Sequence, residues 1–495
     1  MLLGLDCGST AVKAVLFDAD GRTLATGARR TEPRQPGPNR VEHDMDRLWD
    51  LAAEAIRDAL AAAPAGSRVE AIGVTGHGDG LYLLDRGGRP LGPGIQSVDS
   101  RAHAVTAGWA ASGLLDRVAA ITAQRPYPYA ASALLAWMAQ HEPERFAAIG
   151  HVLFCKDWLR FRLTGVLAAD PTDASTAFTE ARSQTYSDDL LASMGLDALR
   201  PALPPIRPSS GVIGTVSAAA AAATGLREGT PVAGGMHDVT ASAVGLGILD
   251  AGALAITAGT FSINETLSDH LAPDPRWTAR AGLRPGQWMN MSISPASSNT
   301  VDWFLRQSYG AEAALAARGG PSLWDAVEAD LAAPAADGAP LFHPFLYGSP
   351  YDVPASAAFL GLRSWHGRAD MLRAVVEGVV FNHRHHCDAL RSAFPADRAR
   401  ITGGGTSRER PARLFADALG LPVEVPEATE VGALGAALVA AVGVGLHGSL
   451  DDAVRRACRV TARYLPDAER HAALTRRFER YLALADALRP HWSDG

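Results

Sequence analysis

Lysine is almost missing from this chain. Of its 46 basic residues only Lys13 and Lys156 are lysines; the rest are arginines. Neither follows a G-x-x-x-x-G run, which excludes a Walker A phosphate loop. Excess positive charge is missing as well. A net charge of −7 leaves no electrostatic footprint for nucleic acid. No run of 18 apolar residues occurs, so no membrane-spanning segment is expected, and the alanine-rich stretch at 218–223 is far too short. Cysteine is scarce. Cys7, Cys155, Cys387 and Cys458 have neither metal nor redox spacing. They fit free thiols in a reducing cytoplasm. An apolar strand begins at Leu2, with no signal-peptide pattern before it.

What is present points to a duplicated α/β chain. Its 495 residues suit two domains of about 250 residues each, with the boundary expected at 247/248. Residues 2–13 read Leu-Leu-Gly-Leu-Asp-Cys-Gly-Ser-Thr-Ala-Val-Lys. Strand, tight turn and strand follow one another, and Asp6 ends the first strand. Gly8, Ser9 and Thr10 offer an anion small side chains, hydroxyls and backbone N–H groups, and Asp6 is placed to hold a divalent metal. Lys13, on the second strand, can face phosphates or solvent. The same design recurs half a chain later at residues 253–263, with Gly259, Thr260 and Ser262 in and beside the turn. Alone, either copy is an ordinary hairpin turn; the repetition favours phosphate binding.

A third site is Thr402-Gly403-Gly404-Gly405-Thr406-Ser407, where a strand enters a glycine-rich turn before a helix. Glycine lets the backbone approach a base or ribose closely. Downstream, the small-residue run Glu430-Val-Gly-Ala-Leu-Gly-Ala-Ala is expected to pack as a helix beside that turn. The G-x-G-x-x-G at Gly443, Gly445 and Gly448 follows a helical run, not a strand, and reads as a helix stop. Asp238 follows Gly234-Gly235-Met236-His237 and opens a helix; locally it is an N-cap or a base. His383, His386 and Cys387 share a helix face without a further ligand, and read as a packed face.

These three sites, in this order, resemble the sugar kinase–heat-shock–actin superfamily, with its two ribonuclease-H-like domains and a cleft between them. Within it, nearly the whole chain resembles the FGGY carbohydrate kinases. Supporting stretches include Val41-Glu42-His43-Asp44 with Trp49, Lys156-Asp157-Trp158-Leu159, Leu163-Thr164-Gly165, Gly234–Asp238, Leu341–Gly348 and Arg373–Gly378. The resemblance implies ATP and Mg²⁺ as cofactors, Asp238 as catalytic base and Asp6 as the metal's partner. Phosphates would sit on Gly8–Thr10 and Gly259–Ser262, and the nucleotide over Gly403–Thr406. It assigns sugar binding to the N-terminal domain and nucleotide binding to the C-terminal one. A homodimer is possible on the same ground.

The acceptor loop departs from the family pattern. Xylulose kinases have Gly-Gln-Met-His-Gly where this chain has Gly76-His77-Gly78-Asp79-Gly80. Asp79 accepts hydrogen bonds from hydroxyls and repels anions, which favours a neutral acceptor. His77 and Asp79 are candidate sugar contacts. Asp99 and Arg101 either line the pocket or form a structural pair; Glu42 and Asp44 suit a surface loop equally well. Tyr347-Gly348-Ser349-Pro350 and Leu134 are further departures. Together these features look most like L-xylulose kinases, with a Gly-Asp-Gly loop like that of erythritol kinases. The expected activity is phosphoryl transfer from ATP to a small neutral sugar, a ketopentose such as L-xylulose, or else to erythritol or another polyol. A non-catalytic, actin-like nucleotide switch would use the same hairpins without a sugar pocket.

Overall fold

The computed structural model describes residues 1–334, 338–351, 355–404, 406 and 408–492. The chain forms two compact units. It passes from the first to the second at Asp250/Ala251, but Leu267–Asn290 and Glu427–Arg459 return to the first. A single crossing at 247/248 does not describe that interleaving.

The sheet of the first unit comprises β1 (Leu2–Cys7), β2 (Ala11–Phe17), β3 (Thr23–Arg30), β4 (Ala71–Gly76), β5 (Val212–Thr215), β6 (Pro231–Ala233) and β7 (Met236–His237). Their order is β3-β2-β1-β4-β6-β5, with β7 also on β4. Strands β1–β3 form an antiparallel meander, while β4 runs parallel to β1 and β6 parallel to β4. Alternating and continuous apolar runs account for the burial of β1, β2 and β4. The proline-rich sequence of residues 201–216 suggests a surface crossing, yet it holds edge strand β5. Its prolines, Pro201, Pro204, Pro205 and Pro208, all precede the strand and so do not interrupt its hydrogen-bond ladder.

The second unit repeats the plan with β8 (Ala253–Ala258), β9 (Ser262–Ser268), β10 (Trp288–Ser294, in this unit from Met291), β11 (Arg398–Thr402), β12 (Val423–Pro426) and β13 (Val460–Tyr464). The order is β10-β9-β8-β11-β12-β13. The pair β8/β9 is antiparallel, while β11 joins β8 and β12 joins β11 in parallel. Each unit is thus an antiparallel strand group continued by parallel strands and closed by an antiparallel edge strand, β5 or β13.

The helix Val431–Gly443 corrects one expectation. It belongs to the first unit, where it packs on β1, β4 and the helix Asp238–Gly245. Small residues allow that approach. A Cβ on Gly4 would sit 2.0 Å from the Ala433 carbonyl oxygen, and one on Gly73 would sit 1.9 Å from that of Ala436. Gly435 lies equally close to Ala241, at 1.9 Å.

Candidate active site

Parallel register gathers the chemistry of the first unit at one sheet edge. Asp6 and Met236 both pair with Thr75; Cys7 and His237 both pair with Gly76. The residues that follow these strands, Gly8–Thr10, His77–Asp79 and Asp238, therefore emerge side by side. Carboxyl ends of parallel strands are where α/β sheets bind ligands.

In the first hairpin Gly8 N–H donates to the Ala11 carbonyl at 3.0 Å, and Gly8, Ser9 and Thr10 all keep negative φ. The turn is therefore not a type I′ hairpin, whose central residues have positive φ. The Ser9 carbonyl accepts from Thr31 Oγ1 at 2.6 Å and Gln96 Nε2 at 3.3 Å, which pins the loop. Lys13 lies opposite Asp6 across β1/β2, and its Nζ is 2.7 and 3.0 Å from the two oxygens of Glu430. The sequence allows it to face either phosphates or solvent; here it is paired with Glu430.

Among the described residues, no hydrogen-bond donor meets the Asp6 carboxylate. Its pKa is pushed up to about 7, first by burial and then by the charge of Asp238, with Lys13 opposing and Glu430 adding. Gly432 makes room for it: a Cβ there would lie 2.7 Å from Asp6 Oδ2. Asp238 opens the helix Asp238–Gly245, and its Oδ1 accepts from Val239 N at 2.8 Å. Its side chain keeps 35% exposure, which leaves a face for a ligand. Burial raises its pKa to about 6, against the pull of His77, the Val239 N–H and Arg280, with Asp79 adding. Of two like charges, the group that titrates last carries the repulsion, here Asp6.

Divalent metal fits this arrangement. No group of three or more His, Cys, Asp or Glu residues able to hold an ion occurs among the described residues. Mg²⁺ characteristically takes one or two carboxylates and fills its shell with water and phosphate oxygens. Asp6, without a hydrogen-bond donor and in a net acidic environment, suits that mode.

His77 Nε2 lies 3.0 Å from the Tyr82 hydroxyl, and its buried Nδ1 has no protein partner. Asp79 sits in the left-handed region at φ 57°. It is not a free acceptor. Arg280, on the strand Thr278–Ala281, donates from Nη2 to both its oxygens at 2.9 and 3.1 Å. That pairing removes the negative charge on which discrimination against anionic acceptors was expected to rest. Arg280 itself was not singled out from sequence. A lone arginine between small strand residues is a weak signal, and its partner lies 201 positions away.

Asp99 and Arg101, expected as possible pocket residues, are buried in a structural network. Asp99 accepts from Arg101 N, Nε and Nη2 and from Val41 N at 2.7–3.0 Å, and Arg101 also reaches Glu42 at 2.7 Å. Asp44 caps the helix Met45–Ala61 through Arg47 N. Behind the Gly234–Asp238 loop, Lys156 Nζ contacts Asp157, Asp170 and Asp173 at 2.6–2.9 Å, all fully buried. Arg160 bonds Asp157 and holds the Gly234 carbonyl at 2.5 Å. Three carboxylates face two cations, so the pKa of Asp173 is pushed up to about 8 by burial and by Asp170 and Asp157, against Lys156. Thr172 Oγ1 then accepts from His237 N at 2.8 Å, tying this network to the Gly234–Asp238 loop.

In the second unit the register Thr257↔Thr402 sets the β8/β9 turn beside the glycine-rich turn. Gly403 has φ 117°, and a Cβ there would lie 2.3 Å from the Ala258 carbonyl oxygen. Thr406 N and Oγ1 both donate to the Gly403 carbonyl. Gly404 is open, whereas Gly405 and Ser407 lie outside the described residues. Gly259 accepts from Ser298 N at 2.9 Å and Thr260 is exposed. Ser262, expected at a phosphate, is buried with its hydroxyl against His383 Nδ1 (3.1 Å) and Asn264. His386 is held between Ser292 and Ser294 at 2.7 and 2.9 Å. The His383–His386–Cys387 face is thus a packed polar layer supporting the hairpin.

Residues 1–245 match the N-terminal domain of the FGGY family of carbohydrate kinases, and residues 254–444 match its C-terminal domain. The chain belongs to this family. It is therefore an ATP-dependent phosphotransferase with a sugar hydroxyl as acceptor. It is 33% identical over 492 residues to the L-xylulose/3-keto-L-gulonate kinase of Escherichia coli, covering 98% of this chain and 97% of that one. It is 32% identical to the erythritol kinase of Brucella abortus, over 99% and 97% of the two chains. The crystal structure of xylulose kinase from Rhodospirillum rubrum superposes with a TM-score of 0.88 at 30% identity over 99% of both. This FGGY kinase has the two-domain α/β fold of those sugar kinases. No helix among its described residues is long and apolar enough to cross a membrane.

Proposed function

We propose that this FGGY kinase phosphorylates a ketopentose such as L-xylulose, with Asp238 as general base and Asp6 as the partner of Mg²⁺. The observation that carries this reading is the carboxylate pair itself. Asp6, near the end of β1, and Asp238, just after β7, lie on strands that flank β4 in parallel, and each is held above the ordinary carboxylate range. With a pKa near 6 Asp238 is ionised at neutral pH yet more basic than a solvated carboxylate, as a general base requires. It takes the proton of the acceptor hydroxyl. That oxygen bonds to the γ-phosphorus, the bond to the β,γ-bridging oxygen breaks, and ADP leaves. Mg²⁺, when bound, supplies charge neutralisation for the transferring group. The amides of Gly8–Thr10 and of Gly259–Thr260 bind phosphates, and Gly403, Gly404 and Thr406 support the nucleotide. His77, with its unpartnered Nδ1, contacts the acceptor.

A polyol such as erythritol is the second reading, supported by the Gly78-Asp79-Gly80 loop and by nearly equal identity to an erythritol kinase. ADP release with ATP and Mg²⁺ across pentuloses, hexuloses, tetritols, pentitols, glycerol and a keto-sugar acid decides between them. The sugar acid belongs in the panel because Arg280 neutralises Asp79. One strong acceptor, lost in Asp238→Ala, is the expected result. Turnover without any acceptor, unchanged in that variant, would overturn the assignment of the base.

A further inference from the structure

We propose that Arg280 is a positioning residue that, through His237, orients the carboxylate of Asp238; this rests on Asp238 being the base. A guanidinium can only donate. Arg280 Nη1 lies 3.0 Å from His237 Nε2, so Nε2 is the acceptor and carries no proton. His237 is neutral, because burial and the neighbouring cation both lower its pKa well below the usual value. Its one ring proton is therefore on Nδ1.

That nitrogen is buried, has no hydrogen-bond partner, and lies 3.6 Å from Asp238 Oδ1. A buried N–H left unpaired is costly. A small rotation of either side chain closes the gap. Oδ1 then holds two N–H groups, from His237 and from Val239, while Oδ2 is left for the acceptor's proton.

The rest of the neighbourhood is built around this contact. A Cβ at Gly78 would lie 1.6 Å from His237 Nε2, so only glycine there admits the ring. Arg280 is otherwise spent: Nη2 on Asp79, Nε on Gln124 Oε1 at 3.3 Å, with 7% of its side chain exposed. It is placed to orient, with little left to bind a ligand. Asp79 of the acceptor loop thus reaches Asp238 through two buried residues, Arg280 and His237.

The test separates the two ring nitrogens. Asn at position 237 can present an N–H where Nδ1 lies; Gln presents its amide where Nε2 lies and gives Asp238 no donor. Turnover, KM for ATP and thermal melting are measured for His237→Asn, His237→Gln, Arg280→Met and the double variant Arg280→Met/His237→Gln. The expected result is that His237→Asn turns over about tenfold faster than His237→Gln or more, with KM for ATP unchanged in both. Arg280→Met should lower kcat and add nothing to His237→Gln in the double variant. Equal losses in the Asn and Gln variants, or multiplied losses in the double variant, would overturn the proposal. Should His237→Gln fail to fold, folded Arg280→Met with wild-type kcat overturns it equally. Asp238→Ala is the control: full acceptor-dependent turnover there removes the base itself, a different failure from the one tested here.

Discussion

Two carboxylates held above their ordinary range have opposite consequences for activity and stability. In the proposed role of base, Asp238, with its pKa raised to about 6, must be ionised. kcat/KM should fall about tenfold per pH unit below 6; a profile flat from pH 5 to 8 would exclude Asp238 as the titrating base. Replacing it with Asn should lower kcat by about 10²–10⁴ while KM for ATP stays within threefold, about the scatter of such measurements. Asp6 has the raised folded-state pKa of about 7 against 3.8 unfolded. For a carboxylate that sign is destabilising: the cost is absent below pH 3.8, grows between 3.8 and 7, and is complete above 7. Asp6→Asn should therefore melt higher than wild type at pH 7.5 and lose that advantage at pH 4. Each tenfold change in proton affinity is worth about 1.4 kcal/mol, so the shift from 3.8 to about 7 sets a ceiling of about 4 kcal/mol, and solvent near the half-buried carboxylate reduces this to about 1–2 kcal/mol. The same substitution should abolish Mg²⁺-dependent turnover, a stability–activity exchange expected of a metal site. Parallel melts and assays at the two pH values check both halves.

At the scale of elements, the helix Val431–Gly443 packs on the strand that carries Asp6 and on the helix that starts at Asp238. Its approach depends on absent side chains. Gly73→Ala would put a methyl 1.9 Å from the Ala436 carbonyl oxygen, a backbone atom that cannot swing away. It should cost about 2–3 kcal/mol. Gly108→Ala, in the helix His103–Ala111 with nothing within 4 Å, should instead stabilise by about 0.5–1 kcal/mol. Equal melting temperatures for the two variants would refute the packing account. Much of this level was legible beforehand. The alternation of β1/β2 and β8/β9 and the flanking glycines specify both hairpins, because strand periodicity and turn chemistry are local. The destination of the Glu430–Ala437 helix was not legible. A run of small residues says that something packs closely but not what. Val212–Thr215 was hidden by the prolines that precede it, and the Asp79–Arg280 pair by the absence of any local pattern linking residues so distant.

The duplication visible in the two sheets has a cost at the scale of the whole molecule, since the first unit is not finished by the first half of the chain. Glu427–Arg459 completes it from the far end. Without that segment the face of β1, β2 and β4 that holds Leu2, Val15, Phe17 and Ala71 would lose Ala433, Leu434, Ala437 and Leu438 from its core. Uncovering a contiguous apolar face of this kind is not tolerated by a stable soluble domain. Lys13 and Glu430 would also be parted. A fragment of residues 1–250 should therefore bind a dye specific for exposed apolar surface, keep helical circular dichroism and lack a cooperative thermal transition, the signature of a molten state. Covalent order cannot substitute for the missing segment: the fragment contains every candidate acceptor residue except Arg280, and the strand Thr278–Ala281 that carries it lies in the other returning stretch. Cooperative melting of the fragment at a temperature near that of the full chain would show that the first unit closes without its distant helix, and would move the organising role from Glu427–Arg459 back to the sheet itself.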